Sequence, residues 1–154
     1  CLSIIKSIFY SSKLYIDVDQ KIRIASAIIC NANNDLLVVR KRNSLFYMLP
    51  GGKIEPGEEL IDTLLRELLE ELGLQFAKDD FSFLGSHETA AANEANTTVQ
   101  GNIFLLTKPL LLDKLDNKAE IEEVCWITKH NYNSYQLAHL LEEFALPRWL
   151  ADFK

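Results

Sequence analysis

Residues 52–74 read Gly52-Lys53-Ile54-Glu55-Pro56-Gly57-Glu58-Glu59-Leu60-Ile61-Asp62-Thr63-Leu64-Leu65-Arg66-Glu67-Leu68-Leu69-Glu70-Glu71-Leu72-Gly73-Leu74. From Leu60 to Leu72 the pattern is helical. Ile61, Leu64, Leu65, Leu68 and Leu72 recur at the three- and four-residue steps that line one helix face. Pro56 and Gly57 stand just outside the start, where a break is expected. Glu58 and Glu59 fall in the first turn, where the helix dipole favours negative charge. Gly73 follows the last apolar position, the usual place for a left-handed C-cap. The segment therefore has a beginning, an end and a stripe to bury.

The other face carries chemistry. Glu67, Glu70 and Glu71 lie three and four residues apart, so all three share one side of the helix. Like charges that close repel, and a cation must compensate them. Arg66 pairs naturally with Glu70 one turn on, which leaves charge over. A hard divalent cation is the remaining partner, because Mg²⁺ takes oxygen ligands from carboxylates, waters and substrate phosphates. Acidic helix runs are ordinarily solvated faces. Here the flanking glycines, Glu58 and Arg66 stand at fixed offsets, and those argue for a built site.

The stretch resembles the signature of the Nudix hydrolase family, G-x5-E-x7-R-E-U-x-E-E-x-G-U with U aliphatic, and every fixed position is filled. A chance match is on the order of 10⁻⁷ at average residue usage. The MutT-like branch is the nearest general description. Leu49-Pro50-Gly51-Gly52 before the signature and Glu122-Glu123-Val124-Cys125-Trp126-Ile127 after it extend the likeness more weakly. The resemblance implies an α/β fold, the Nudix-type α/β/α sandwich with a mixed β-sheet. It implies Mg²⁺, with Mn²⁺ as a substitute, and hydrolysis of a nucleoside diphosphate linked to a further group. It makes Glu67, Glu70, Glu71 and the Gly51 carbonyl the expected metal ligands, with Glu67 also a base or base-orienting group. Arg66 would orient the glutamates, with Glu58 as its partner. Lys53 would approach phosphate. A further carboxylate is expected before the last strand. Glu120, six residues before Trp126, is taken for it, with Glu122 and Glu123 as competitors.

Outward from this segment, residues 22–29 are β-rich and residues 36–39 follow them. The intervening Asn31-Ala32-Asn33-Asn34-Asp35 has strong turn chemistry, which predicts a hairpin. Residues 13–19 alternate loosely, as an edge strand would. Just beyond the second strand lies Arg40-Lys41-Arg42, three cations that meet a substrate's phosphates or merely solubilise the strand end. Arg40 and Arg42 share a strand face and are candidates for substrate phosphate. Tyr47, or Phe46 beside it, is a candidate to stack on a base. Strands are expected over 81–85, 97–106 and 124–127. Residues 86–96, with His87, Glu88, Asn93 and Glu94, read as a polar loop flanking the site. A second helix is expected over 131–145, capped by Asn131, Asn133 or Ser134 and stopped by Pro147.

The chain has 154 residues, 48% of them hydrophobic and 25% charged, as expected of one soluble domain spanning 1–154, with 1–20 as an N-terminal extension or edge strand. At this size it buries about 70% of its unfolded surface, enough for a core without disulfides. The formal charge is −6, with 16 Lys and Arg against 22 Asp and Glu. Long nucleic acid would be repelled. A single nucleotide arriving with metal would not, so the expected partner is a small nucleotide. Cys1, Cys30 and Cys125 lack metal-ligand spacing, and the last two read as small buried hydrophobes in a reducing cytoplasm. No apolar run is long enough to span a membrane, and the apolar residues 2–10 lack a signal-peptide cleavage site. The state of assembly reads as monomer or homodimer. Together these point to a metal-dependent pyrophosphohydrolase. A (deoxy)nucleoside triphosphate, cleaved to monophosphate and pyrophosphate, is the first substrate choice. ADP-ribose or another nucleotide-sugar is the alternative, and a nucleotide-binding domain without catalysis is the reading from a different class.

Overall fold

Alternation along the strands builds this fold. In the computed structural model, which describes residues 20–92, 94–112, 115–118 and 120–152, β1 (Gln20–Ile28) turns Ala25 and Ala27 to one side and Ile24 and Ile28 to the other. β2 (Leu36–Lys41) does the same with Leu37 and Val39 against Leu36 and Val38. Strands buried on both faces need a cover on each. One cover is α1 (Leu60–Leu72), whose Leu64, Leu68 and Leu72 join the Ala25–Val39 core. The other is the C-terminal helical segment, whose Leu141, Phe144 and Trp149 pack with Ile28, Leu36 and Val38. The result is an α/β/α sandwich.

Two sheets lie between the covers. A mixed sheet runs β4 (Gly51–Lys53), β1, β6 (Thr97–Leu106), β5 (Phe81–Ala90), with β1 and β6 parallel and the other pairs antiparallel. An antiparallel sheet runs β3 (Tyr47–Met48), β2, β7 (Ile121–Ile127). The expected hairpin is thus only local. Asn31 Oδ1 accepts from the Asn33 and Asp35 amides at 2.9 Å each, and Leu37 N–H donates to Ile29 O at 2.9 Å. Beyond that turn β1 and β2 part into different sheets, since each finds longer partners elsewhere. The segment expected over 13–19 lies outside the described residues.

Two further expectations are corrected. Residues 86–90 are not loop but the second half of β5, zipped to β6 as far as Ala90↔Thr98. The second helix does not begin at Asn131. Tyr132–Ser134 is a short 3₁₀ turn, and the chain then stays extended because Tyr47 N–H donates to Gln136 O and Ala138 N–H to Tyr47 O, each at 2.8 Å. Helix runs from 139 and passes through Pro147. A π-helical turn, Leu141–Ala145, precedes α2 (Leu146–Leu150), with Leu146 N–H reaching back to Leu141 O. This wider turn loosens the ladder where the missing proline N–H and its ring would otherwise break it. Cys30 and Cys125 are free, half-buried thiols, pushed by burial up to about 12 and about 11. Among the described residues, no helix is long and apolar enough to cross a membrane.

Candidate functional site

The loop before α1 and its first two turns are tied by one arginine. Arg66 Nε donates to Glu58 Oε2 at 2.7 Å and its Nη2 to Glu58 Oε1 at 2.9 Å, a bidentate pair. Glu58 Oε1 also accepts from the Thr63 hydroxyl at 2.8 Å and the Glu55 amide at 2.9 Å. The same arginine reaches Lys53 O at 3.1 Å, Glu67 at 3.3 Å and Glu70 at 3.4 Å. Glu58 stands one residue before the N-cap Glu59 rather than in the first turn, so its carboxylate braces the loop against the helix. Arg66 and the two local donors hold the Glu58 carboxyl down from 4.5 to about 2.

This bracing has a pH signature. A depressed carboxyl stabilises the fold above its unfolded value, and that contribution is lost as pH falls through the folded value. Glu58→Gln is expected to lower Tm most at neutral pH. The gap to wild type should narrow as pH falls from 4.5 toward 2. Thermal unfolding of both proteins across that range reads it, and a gap independent of pH would refute the assignment.

The three helix glutamates differ in burial. Glu70 is exposed, Glu67 is half-buried, and Glu71 is 5% exposed. Glu71 Oε1 accepts from the Gly51 amide at 3.4 Å, and burial pushes its carboxyl up to about 7. Burial also raises Glu67, with Arg66 opposing. Gly52 lies against Glu67, and a Cβ there would fall 2.3 Å from the Glu67 carboxyl carbon. The glycine pair thus brings bare backbone onto the carboxylates.

The donor set consists of oxygens alone, and the buried Glu71 has one long backbone hydrogen bond. That fits a hard divalent cation such as Mg²⁺. Among the described residues no three acidic, histidine or cysteine side chains yet converge on one point. Arg66 holds Glu67 and Glu70, and a dication would compete with it while Glu58 keeps the guanidinium in place.

A cavity of about 200 Å³ opens beside the glycines, lined by Gly51, Gly52 and Lys53, by the β1 residues Ile22 and Ile24, and by Ala138 with the start of the C-terminal helical segment, His139 to Leu141. Lys53, expected at phosphate, sits in this lining. Of Arg40-Lys41-Arg42 it is Lys41 that enters it. Its charge faces both Glu67 and Glu71, and its Nζ lies 3.9 Å from Glu120. Sequence reasoning counts Lys41 among three candidate cations but favours Arg40 and Arg42, although the period of two that turns Leu37 and Val39 toward α1 turns Lys41 the same way. Arg40 is held by Glu123 at 3.3 Å and Arg42 by Glu122 at 3.6 Å. Tyr47 donates its hydroxyl to Glu123 at 2.7 Å and sets its ring edge-on to Tyr135. Its neighbours Met48 and Leu49 line the cavity. Glu120 is exposed, and its charge also bears on Glu71. Of the loop 91–96, Ala91, Ala92 and Glu94 line the cavity. His87 pairs with Glu143 at 2.8 Å and Glu88 with Lys21 at 2.7 Å, and Asn93 lies outside the described residues.

Fold and candidate site together give an α/β sandwich with a glutamate-bearing loop and helix beside a small cavity. A family model of the NUDIX domain matches residues 20–150, and the chain belongs to that family. It is 37% identical over 82 residues to the 8-oxo-dGTP diphosphatase of Escherichia coli, a match covering 46% of this chain and 62% of that protein. It is 39% identical over 72 residues to the m7GpppN-mRNA hydrolase NUDT17 of Bos taurus, covering 42% of this chain and 24% of the relative. The match thus spans about a quarter of the second relative and less than two thirds of the first. A crystal structure of a nudix hydrolase family member from Chromobacterium violaceum superimposes with a TM-score of 0.62 at 26% identity, over 86% of this chain and 78% of that one.

Proposed function

We propose that the chain is a divalent-metal-dependent pyrophosphohydrolase. Its substrate in this reading is a (deoxy)nucleoside triphosphate, split into monophosphate and pyrophosphate. One observation carries the reading: the glycines that press on the Glu67 carboxylate and donate to buried Glu71 also line the cavity. The cavity is smaller than the roughly 300–1,000 Å³ usual for drug-sized ligands. It suits a base, with the phosphates lying over Gly51–Lys53 toward α1.

Glu67, Glu70, Glu71 and the Gly51 carbonyl would hold Mg²⁺, or Mn²⁺ in its place. A bound ion of this kind neutralises diphosphate charge and makes water a better nucleophile. Lys41 and Lys53 bind phosphate oxygens. Arg66, braced by Glu58, keeps α1 and its carboxylates in register with the glycine loop. Glu67 accepts the proton of the attacking water, with Glu120 close to Lys41 as the additional carboxylate. The water oxygen bonds to phosphorus, one P–O anhydride bond breaks, and the leaving phosphate carries off the electron pair. Arg40, Arg42 and Tyr47 reach substrate only by releasing their carboxylate partners, Glu123 for Arg40 and Tyr47 and Glu122 for Arg42. The free thiols Cys30 and Cys125 fit a reducing compartment such as the cytoplasm.

Incubation with a nucleotide panel in ¹⁸O-water should give Mg²⁺-dependent turnover that chelation abolishes and metal restores. The product that carries the label tells which phosphorus is attacked. No turnover above background by protein that still binds metal would sink the proposal.

A further inference from the structure

Ser26 interrupts an apolar strand face. Along β1 it stands between Ile24 and Ile28, and the period of two turns all three toward the C-terminal helical segment. It is 2% exposed. Ser26 pairs with Gly51, and a Cβ on Gly51 would fall 2.6 Å from the Ser26 Oγ. The hydroxyl therefore lies against the glycine loop. Among the described residues it has no hydrogen-bond partner, and it opens on the cavity that Ser26 lines. A buried hydroxyl without a partner is unfavourable, and alanine would fill the same position without that cost. A ligand that brings a hydrogen-bonding group to this part of the floor removes it.

The position of Ser26 names the group. In the nucleotide reading above, on which this inference rests, the phosphates lie over Gly51–Lys53. Beyond Ile24 the lining is apolar, with Ile22 and its β6 partner Val99, and suits the face of a base. The sugar joins the two, so what meets Ser26 beside Gly51 is a sugar hydroxyl. We infer that Ser26 is a substrate-binding residue that hydrogen-bonds a sugar hydroxyl of the nucleotide, so that the site selects nucleotides that carry one. A serine hydroxyl both donates and accepts, and matches another hydroxyl in either sense. A buried group built to bond a substrate hydroxyl rejects the analogue that lacks it. Ser26 faces away from α1, so it sets which nucleotide is held and leaves the cleavage chemistry to the glutamates.

The test measures kcat/KM, with Mg²⁺ present, for one ribonucleoside triphosphate and its 2′-deoxy, 3′-deoxy and 2′,3′-dideoxy forms. Wild type should use the dideoxy form about tenfold less efficiently than the ribonucleotide, the scale of one neutral hydrogen bond. The single-deoxy form that falls to the same level identifies the hydroxyl. Ser26→Ala should lower the ribonucleotide value about tenfold and leave the dideoxy value unchanged, so that the two converge. The variant should melt at or above the wild-type temperature, because the hydroxyl it loses has no partner in the fold. A wild type that cleaves the dideoxy form as well as the ribonucleotide, an equal fall on all four substrates in Ser26→Ala, or a variant that melts well below wild type overturns the inference while the hydrolase reading stands. A wild type that turns over none of the four overturns both.

Discussion

Glu71→Gln and Glu67→Gln are each expected to lower kcat/KM by at least about 100-fold, the scale of losing a metal-held catalytic arrangement. Glutamine keeps the shape, so packing around the 5%-exposed Glu71 is conserved. What is lost is an anionic oxygen donor. The stability readout separates this from a structural role. A buried carboxylate without a bonded cation is costly to keep charged. Without metal, Glu71→Gln should therefore melt at or above the wild-type temperature while its activity collapses, the trade-off expected where a site stores destabilised charge. Mg²⁺ should raise the wild-type Tm more than that of the variant, because a ligand stabilises in proportion to its affinity for the fold. Wild-type rates in either variant, with metal affinity unaltered, would reject that residue as a ligand.

Gly51→Ala is expected to cost about 3 kcal/mol or more of stability, combining backbone strain with overpacking. Gly51 has φ +148, and a Cβ would sit 2.1 Å from Ala25 O and 2.6 Å from the Ser26 Cα. Those are backbone atoms of a central strand, so neither can move aside cheaply. The β4–β1 pairing Ser26↔Gly51 would have to open, and the amide that reaches Glu71 would leave with it. The corresponding fall in Tm is roughly 6–12 °C for a domain of this size. Gly57 is the contrast. It has φ +83, but a Cβ there would meet nothing within 4 Å, so Gly57→Ala should cost about 1 kcal/mol, from strain alone. Thermal melts of the two variants beside wild type decide it, and a Gly51→Ala protein as stable as Gly57→Ala would contradict the steric argument.

Several parts of the fold are legible in the order of residues alone. α1 runs over Leu60–Leu72, ends on Gly73 with φ 68, and buries Leu64, Leu68 and Leu72. β6 covers Thr97–Leu106, the stretch its composition marks. These signals are local: a cap, a period, a run of β-formers. Other features depend on partners far along the chain. Ser86, His87 and Glu88 read as loop because they are polar, yet β5 is an edge strand where such residues are tolerated, and Ser86 donates to Asn102 on β6 at 2.7 Å. Pro147 reads as a stop because a regular helix excludes it, and the π-helical turn before it removes the conflict. Lys41 is hidden between two arginines until β7 brings Glu122 and Glu123 across to occupy them.

The sequence by itself determined the helix, its caps and the presence of three carboxylates on one side of it, because residues three and four apart are neighbours in any helix. It also determined that glycines would precede them. Only the tertiary structure decided that Glu71 is buried and Glu70 exposed, that Lys41 rather than Arg40 or Arg42 faces them, and that Ser26 lines the cavity beside Gly51. Each of those depends on which distant segment lies against the residue. Burial, charge compensation and cavity lining are properties of that contact, and local spacing carries no record of it.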